Sequence, residues 1–480
     1  MVSLDLNALM TRGQGSRARG CFRRLVLHGM LPLLLLSGCA TVYKPQNHRI
    51  AKIDNHAGYR LVKTRRGDYG DHLVFLAFSG GGTRAAALSY GVLQELRDTP
   101  IRSRGHRVRL LDEVDSISSV SGGSFTAAYY GLFGDKLFTD YEKVFLRQSI
   151  QGALIAKLFS PAYWWRALFT RFDRTEMAIE FYDQEIFEGK RFSDIRLANG
   201  PYVEINATEI GSGNRFSFIQ AQFDAICSNL EDLSVARAVT ASSAVPVAFP
   251  SVVIKNYAGD CDAQQTQLLS YLKQRRAISP RLQELRDRIT SYADQKSRPF
   301  LHLVDGGIAD NLGLRAVTDR IESVGSGLVF DEHSRIPQDV LLISVNAEVK
   351  PERGINLSAE KPSIVDTIDA FSSAQMELYN KETKLLLSNE LGVLKEALRQ
   401  RGHEVRVHAA EISFASIQGK SLRSYFNSLP TSLELSNQDV DRLISIGRKL
   451  LREQPGYREF LRLNGGQAPD EGDGRSSMSR

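Results

Sequence analysis

Three short segments of this 480-residue chain hold residue types that together could carry out acyl-ester chemistry. Ser118-Ser119-Val120-Ser121-Gly122-Gly123 offers a hydroxyl on a turn of small residues. Gly80-Gly81-Gly82-Thr83-Arg84 offers a run of backbone amides. Asp305-Gly306-Gly307 offers a carboxylate that other backbones can approach closely. A serine hydroxyl attacks a carbonyl only when a neighbouring base takes its proton. The oxyanion that then develops is stabilised by N–H donors already aimed at it. Glycines allow such donors to converge without a Cβ in the way, and a helix N-terminus adds partial positive charge.

Each segment has a rival reading. In the Ser121 turn, Gly123 matches the second glycine of G-x-S-x-G, while Ser119 stands where the first usually sits. Taken alone, a Ser/Gly-rich turn can equally be a plain loop. For the glycine run, a dinucleotide site would need glycine at position 85, where Ala85 stands. It would also need an acidic residue ending a second strand, where only Ile101-Arg102-Ser103-Arg104 is found. A phosphate loop fails because no Gly-Lys-Ser/Thr follows. The usual base beside serine is histidine, but no histidine of this chain sits in a triad-like context. His302, close to a strand end, reads as a core or edge residue. Asp305 ends an apolar run, which places its carboxyl group at the carboxyl edge of a sheet, where open α/β sheets bind ligands. A carboxylate is a weak base near neutral pH. It needs a short hydrogen bond to the serine and a partly dry site.

The elements that must position these groups follow from apolar patterning. His72 to Phe78 is nearly continuous in apolar residues, as in a strand buried on both faces of a parallel sheet. Further strands are predicted over Val114–Val120, Tyr202–Thr208, Phe216–Ile219, Phe300–Val304, Val340–Val345 and Val405–Phe414. Helices are predicted over Arg84–Arg97, from the Gly122 turn through Phe133, and over Val235–Ser243, Leu314–Ser323, Ile364–Leu387 and Val440–Leu450. The alternation argues for an α/β fold, with a central, mostly parallel sheet flanked by helices on both faces and a helical C-terminal extension.

At this point the chain resembles the patatin-like phospholipases. Gly80 to Arg84 is similar to their glycine-rich oxyanion loop. Ser119 to Gly123 resembles their nucleophile elbow, with Ser121 as nucleophile, and Asp305-Gly306-Gly307 resembles their Asp motif, with Asp305 as base. Ala241-Ser242-Ser243-Ala244-Val245-Pro246, with Phe249-Pro250, looks like the segment that precedes that motif. The resemblance spans about residues 72–325. It implies a Ser–Asp dyad that hydrolyses lipid esters through an acyl-serine, with Gly80, Gly81, Gly82 and Thr83 around the oxyanion, and no cofactor or metal. Arg84 could bind a lipid phosphate, close the loop or form a surface salt bridge.

The rest of the chain frames this reading. Arg17, Arg19, Arg23 and Arg24 precede an apolar stretch, Leu25 to Leu36, and then Leu36-Ser37-Gly38-Cys39. This looks like a bacterial lipoprotein signal over residues 1–38, with Cys39 lipidated; an uncleaved anchor is the alternative. Ala40 after the cysteine resembles outer-membrane lipoproteins, which implies an envelope location facing the periplasm. Residues 39–70 read as a tether, 72–325 as the catalytic domain, 326–463 as an extension of it, and 464–480 as a disordered tail. Cys227 and Cys261 could pair in an oxidising compartment or stay as two thiols. Residues 154–181, with Trp164 and Trp165, are either an interfacial element or a helical cap whose aromatics are core. Residues 265–294 read as two short helices around Pro280, a lid or a surface excursion. A net charge of +6, with 24% charged residues and no long basic stripe, argues against nucleic acid. The expected partners are membrane lipids, as substrate and anchor. Other acyl esters or thioesters as substrate, or a catalytically idle lipid-binding lipoprotein, are the alternatives.

Overall fold

The computed structural model describes residues 44–61, 71–246, 248–261, 266, 269, 279–329, 336–350, 355, 359–400 and 402–468. The signal segment and Cys39 lie outside the described residues, as does the first of the two helices expected in 265–294.

Eight strands form the main sheet: β1 (His72–Phe78), β2 (Val114–Val120), β3 (Tyr202–Glu209), β4 (Asn214–Phe218), β5 (Val252–Lys255), β6 (Phe300–Val304), β7 (Asp339–Asn346) and β8 (Arg406–Ser413). Their order is β8-β7-β1-β2-β3-β6-β5, with β4 also beside β3. From β8 to β3 all pairings are parallel. The principal helices are α1 (Gly82–Asp98), α2 (Gly122–Phe133), α3 (Ile150–Leu158), α4 (Pro161–Phe169), α5 (Arg174–Glu185), α6 (Val235–Ser243), α7 (Gly307–Asp310), α8 (Leu314–Val329), α9 (Ile364–Gln400), α10 (Asn437–Glu453) and α11 (Pro455–Leu463).

Side-chain alternation along β1 builds two cores. Val74, Leu76 and Phe78 join the large cluster under α1, α2 and α10. Leu73, Phe75 and Ala77 face a smaller cluster with Leu314, Val317, Leu387 and Leu394 of α8 and α9. Helices thus cover both faces, as the apolar run of β1 requires. β2 is fully buried yet half polar. Its Asp115 accepts the amide of Val74 at 2.7 Å, where the β1–β2 register shifts, so the carboxylate is satisfied inside the sheet.

The C-terminal region belongs to the same body. β7 and β8 extend the sheet, and α10 packs along α1. That crossing is close: a Cβ on Gly91 would lie 2.3 Å from the carbonyl of Ile444. Fully buried Glu95 of α1 is held there by Arg448 and Arg452.

Several expectations are corrected. β6, which carries Asp305, runs antiparallel to β3 and β5, and β5 itself was not foreseen. Pro100–Ser103 and His106–Arg109 form an antiparallel hairpin. α9 continues to Gln400 rather than ending near Leu387, because Leu391, Leu394 and Leu398 keep its buried face going. The residues read as a polar tether include a packed stretch: His48–Arg49 pairs with Ser228–Asn229, and Tyr59 is fully buried, stacked on Tyr202 at 4.8 Å. The expected tail is held at its start, since Asn464 bonds Asp339 and its carbonyl accepts the Arg102 amide. Of the two readings of Cys227 and Cys261, the disulfide is the one that holds. No helix among the described residues is long and apolar enough to cross a membrane.

Candidate active site

The site is created by two strands that meet end to end. Along one side of β3, β4 pairs with Ile205–Glu209. Along the other side, β2 takes Tyr202–Asn206 and β6 takes Thr208–Glu209. β2 climbs towards the carboxyl edge of the sheet while β6 descends from beyond it. Ser121 follows the last residue of β2, and Asp305 follows the last residue of β6, so both arrive at the same gap. The carboxylate therefore reaches the carboxyl edge from outside, not by rising through the sheet as a parallel strand would bring it.

Ser121 sits in a strained turn, with φ 49° and ψ −121°, directly before α2. A side chain rarely adopts this backbone, and such strain persists only when neighbours hold it. The neighbours are polar and buried. The Ser121 amide donates to Ser242 Oγ at 2.8 Å, and Ser242 Oγ donates to the carbonyl of Asn206 at 2.6 Å. Asn206 Nδ2 donates to Ser118 Oγ and to the carbonyl of Ser119. Ser124 bridges Ser119 and Ser242 at 3.1 Å each. Ser119 thus has a use that glycine could not fill: its hydroxyl joins this network. Gly122 has no alternative, because a Cβ there would lie 2.0 Å from the carbonyl of Gly82.

Asp305 is fixed by its own backbone. Its amide donates to the carbonyl of Ala244 (2.9 Å), and the Gly306 amide donates to that of Ser242 (3.0 Å). Gly306 lies so near Asn206 that a Cβ would meet its carbonyl at 2.3 Å. The Asp305 carboxylate accepts the Gly307 amide at 2.7 Å. Burial pushes its pKa up from 3.8 to about 6, and the Gly307 amide and the neighbouring Ser121 hydroxyl pull the other way. Asp310, five residues on, is also raised to about 6 by burial, but Arg215 and Arg315 oppose the shift. It accepts the amides of Leu314 and Arg315 and so caps α8. Of these two carboxylates, only Asp305 has the Ser121 hydroxyl as a neighbour that shifts it.

The glycine run closes the third side. Gly81 and Gly82 have φ of 138° and 60°, which bend the chain from β1 into α1. The expected four-residue donor set contracts to two. The Gly80 amide is spent on the carbonyl of Asn311 (3.0 Å), and the Thr83 amide on that of Ser432 (2.8 Å). The amides of Gly81 and Gly82 have no hydrogen-bond partner among the described residues, and both lie at the N-terminus of α1. Arg84 is not placed to meet a lipid phosphate. It is buried, and its guanidinium donates to the carbonyls of Ala347 (3.0 Å) and Leu429 (2.6 Å) and to Thr431 Oγ1 (3.0 Å). Burial lowers its pKa to about 10. Arg84 and Thr83 thus clamp the loop to residues 429–432.

Residues 76–318 match the family described as patatin-like phospholipase. The chain belongs to the patatin-like phospholipase family. Among curated proteins, no relative matches. Among solved structures, human GIVD cytosolic phospholipase A2 is similar at 13% identity and a TM-score of 0.35, over 56% of this chain and 45% of that one. VipD from Legionella pneumophila aligns at 12% identity and 0.28, over 91% and 74%. The type III effector protein ExoU aligns at 15% and 0.22, over 83% and 76%. This chain thus spans less than half of the human enzyme's length. The braces at Leu429, Thr431 and Ser432 lie outside the family match.

Sequence reasoning named Ser121, Asp305 and the glycines but missed the residues that hold them. Ser242 was quoted only as part of a resembling segment. Asn206 and Asn311 carried no signal at all, since a single asparagine in a strand or turn is unremarkable in one sequence.

Proposed function

We propose that this chain is a lipid acyl hydrolase that works through a Ser121–Asp305 dyad. Family membership supports hydrolase activity on lipid esters. Asp305 takes the Ser121 proton as the oxygen attacks the ester carbonyl. The amides of Gly81 and Gly82 receive the oxyanion, each such donor contributing about 3 kcal/mol in comparable sites. The tetrahedral intermediate collapses to an acyl-serine and expels the alcohol, which takes the proton from Asp305. Asp305 then deprotonates water for the second attack, and the fatty acid leaves. A carboxylate with a pKa near 6 is a better base than an exposed one and is still ionised at neutral pH. The observation that carries this reading is the arrival of Ser121 and Asp305 at one gap in the sheet, from the ends of β2 and β6, beside the amides of Gly81 and Gly82.

The family and the lipobox-like segment together support a phospholipid or lysophospholipid substrate met at a membrane. The mature chain is then tethered through lipidated Cys39, in the outer membrane facing the periplasm. Fatty acid release from phospholipid vesicles tests the chemistry: wild type releases it, and Ser121→Ala stays at background. Equal release by both proteins would end the reading. Metabolic fatty-acid labelling that survives Cys39→Ala would end the anchor assignment.

A further inference from the structure

α3, α4 and the turn between them make an exposed apolar surface that holds both tryptophans of the chain. α4 buries none of its residues. Phe159 is 80% exposed, Leu168 74% and Trp165 69%, and Trp164, Phe169 and Ile155 are exposed beside them. Such a face next to water is unfavourable in proportion to its area, and clustered apolar surface of this kind marks a contact site. Its composition favours a bilayer over a protein. Tryptophan and tyrosine settle at the headgroup level, where a ring can sit in acyl chains with its polar edge wet. Between Glu142 and Asp173 there is no acidic residue, while Lys157, Arg166 and Arg171 lie along the hairpin. Arg166 packs 3.6 Å above the Phe172 ring and also pairs with Glu180 of α5. A hairpin with basic and aromatic side chains and no acid of its own, Glu180 of α5 being the acid that meets Arg166, complements an anionic lipid headgroup layer.

Both ends of the hairpin are fastened to the rim of the Ser121 site. At its start, Ser149 donates to Glu434 (2.6 Å), and two residues earlier Ser432 lies against Gly82 and accepts the Thr83 amide. At its end, Thr175 of α5 donates to the carbonyl of Pro250, and Arg237 of α6 pairs with Glu176. α6 ends at Ser242 and Ser243, beside Ser121 and Asp305. Exposed Val245 follows Ala244, whose carbonyl accepts the Asp305 amide, and exposed Ile308 lies just beyond Asp305 in sequence.

We propose that the α3–α4 hairpin is the membrane-docking surface of this enzyme, seating Trp164, Trp165, Leu168 and Phe169 in an anionic bilayer so that substrate meets the site from the interface. The proposal rests on the lipid-ester reading for its substrate, but the docking itself does not require Ser121. The chain has only two tryptophans, and both lie on this surface, so intrinsic fluorescence reports the hairpin alone. The full-length mature protein is mixed with vesicles of phosphatidylcholine plus phosphatidylglycerol, with and without bromine on the acyl chains. Expected are a blue shift and at least twofold quenching by the brominated lipid, equal in wild type and Ser121→Ala. The Trp164→Ala/Trp165→Ala variant is expected to hydrolyse vesicle lipid at least tenfold more slowly, while cleaving a soluble short-chain ester within twofold of wild type. An unchanged spectrum while Ser121-dependent vesicle hydrolysis proceeds would overturn the proposal. So would a dimer in solution that the double variant converts to monomer, since a second copy would then be the occupant. Quenching without any hydrolysis would leave docking intact and remove the catalytic reading instead.

Discussion

Two glycine-bearing turns meet at Ser121, and they are held in opposite ways. The Ser119–Gly123 turn is braced from within the family-matched region, by buried hydroxyls and amides of Ser242, Ser124 and Asn206. The Gly80–Arg84 turn has one link inside that region, to the carbonyl of Asn311, and is otherwise braced from outside it, by the carbonyls of Ala347, Leu429 and Ser432. The turns touch where Gly122 faces the Gly82 carbonyl. The proposed nucleophile is thus positioned by short polar links around its own strand, while the proposed oxyanion donors depend on chain more than 340 residues away in sequence. Precision at the hydroxyl is local, and precision at the oxyanion is a property of the whole body.

Substitutions can break this contrast, and the largest effect is expected at the proposed nucleophile itself. Ser121→Ala should lower kcat on a soluble ester by about 10⁴-fold or more, with little change in melting temperature. Next, Asp305→Asn should cost about 10³- to 10⁴-fold in kcat, as losing the proton acceptor does in other serine hydrolases. Wild-type kcat/KM should fall as pH drops through about 6, where Asp305 becomes protonated. The stability effect has the opposite sense to the usual carboxylate. The folded pKa lies above the ordinary 3.8, so this group's contribution is full below that value and is lost as pH rises through about 6. Asp305→Asn should therefore melt higher than wild type at pH 8 and equal it near pH 4 in thermal denaturation.

Gly122→Ala comes third. Its Cβ has no space against the Gly82 carbonyl, so both turns must separate, and kcat should drop about 10²-fold with a fall in stability. Arg84→Lys sharpens the contrast further. Lysine cannot span three acceptors, so the oxyanion turn should loosen: kcat falls a few-fold, melting temperature falls, and KM for phospholipid holds. A selective rise in KM for charged headgroups, with unchanged melting temperature, would return Arg84 to a substrate role. The smallest effect is expected at Ser242→Ala, which removes the acceptor of the Ser121 amide and should cost about 1–3 kcal/mol of stability in denaturant melts.

Much of this was legible because chemistry and backbone constraint coincide at glycine. The β1 apolar run, the Gly-bearing turns after β1 and β2, and Asp305 before two glycines all carry local signals. The direction of β6 did not, because an apolar run looks the same whichever way its strand is inserted. Arg84 stayed open among phosphate binding, loop closure and a surface salt bridge for a related reason: only tertiary structure shows the carbonyls that converge on it and favour loop closure. Exposure of the Trp164–Phe169 surface was equally hidden, since a buried cap and an interfacial hairpin share one composition. Phe125, Tyr141 and Phe145 form a fully buried aromatic cluster only a few turns upstream.

The dyad is tested most directly by reaction of the intact protein with a fluorophosphonate, followed by mass mapping across pH. The account predicts one adduct, on Ser121, with a labelling rate that falls below pH about 6 and drops at least about 100-fold in Asp305→Asn. An adduct on another residue, or an Asp305→Asn protein that labels at the wild-type rate, would contradict it.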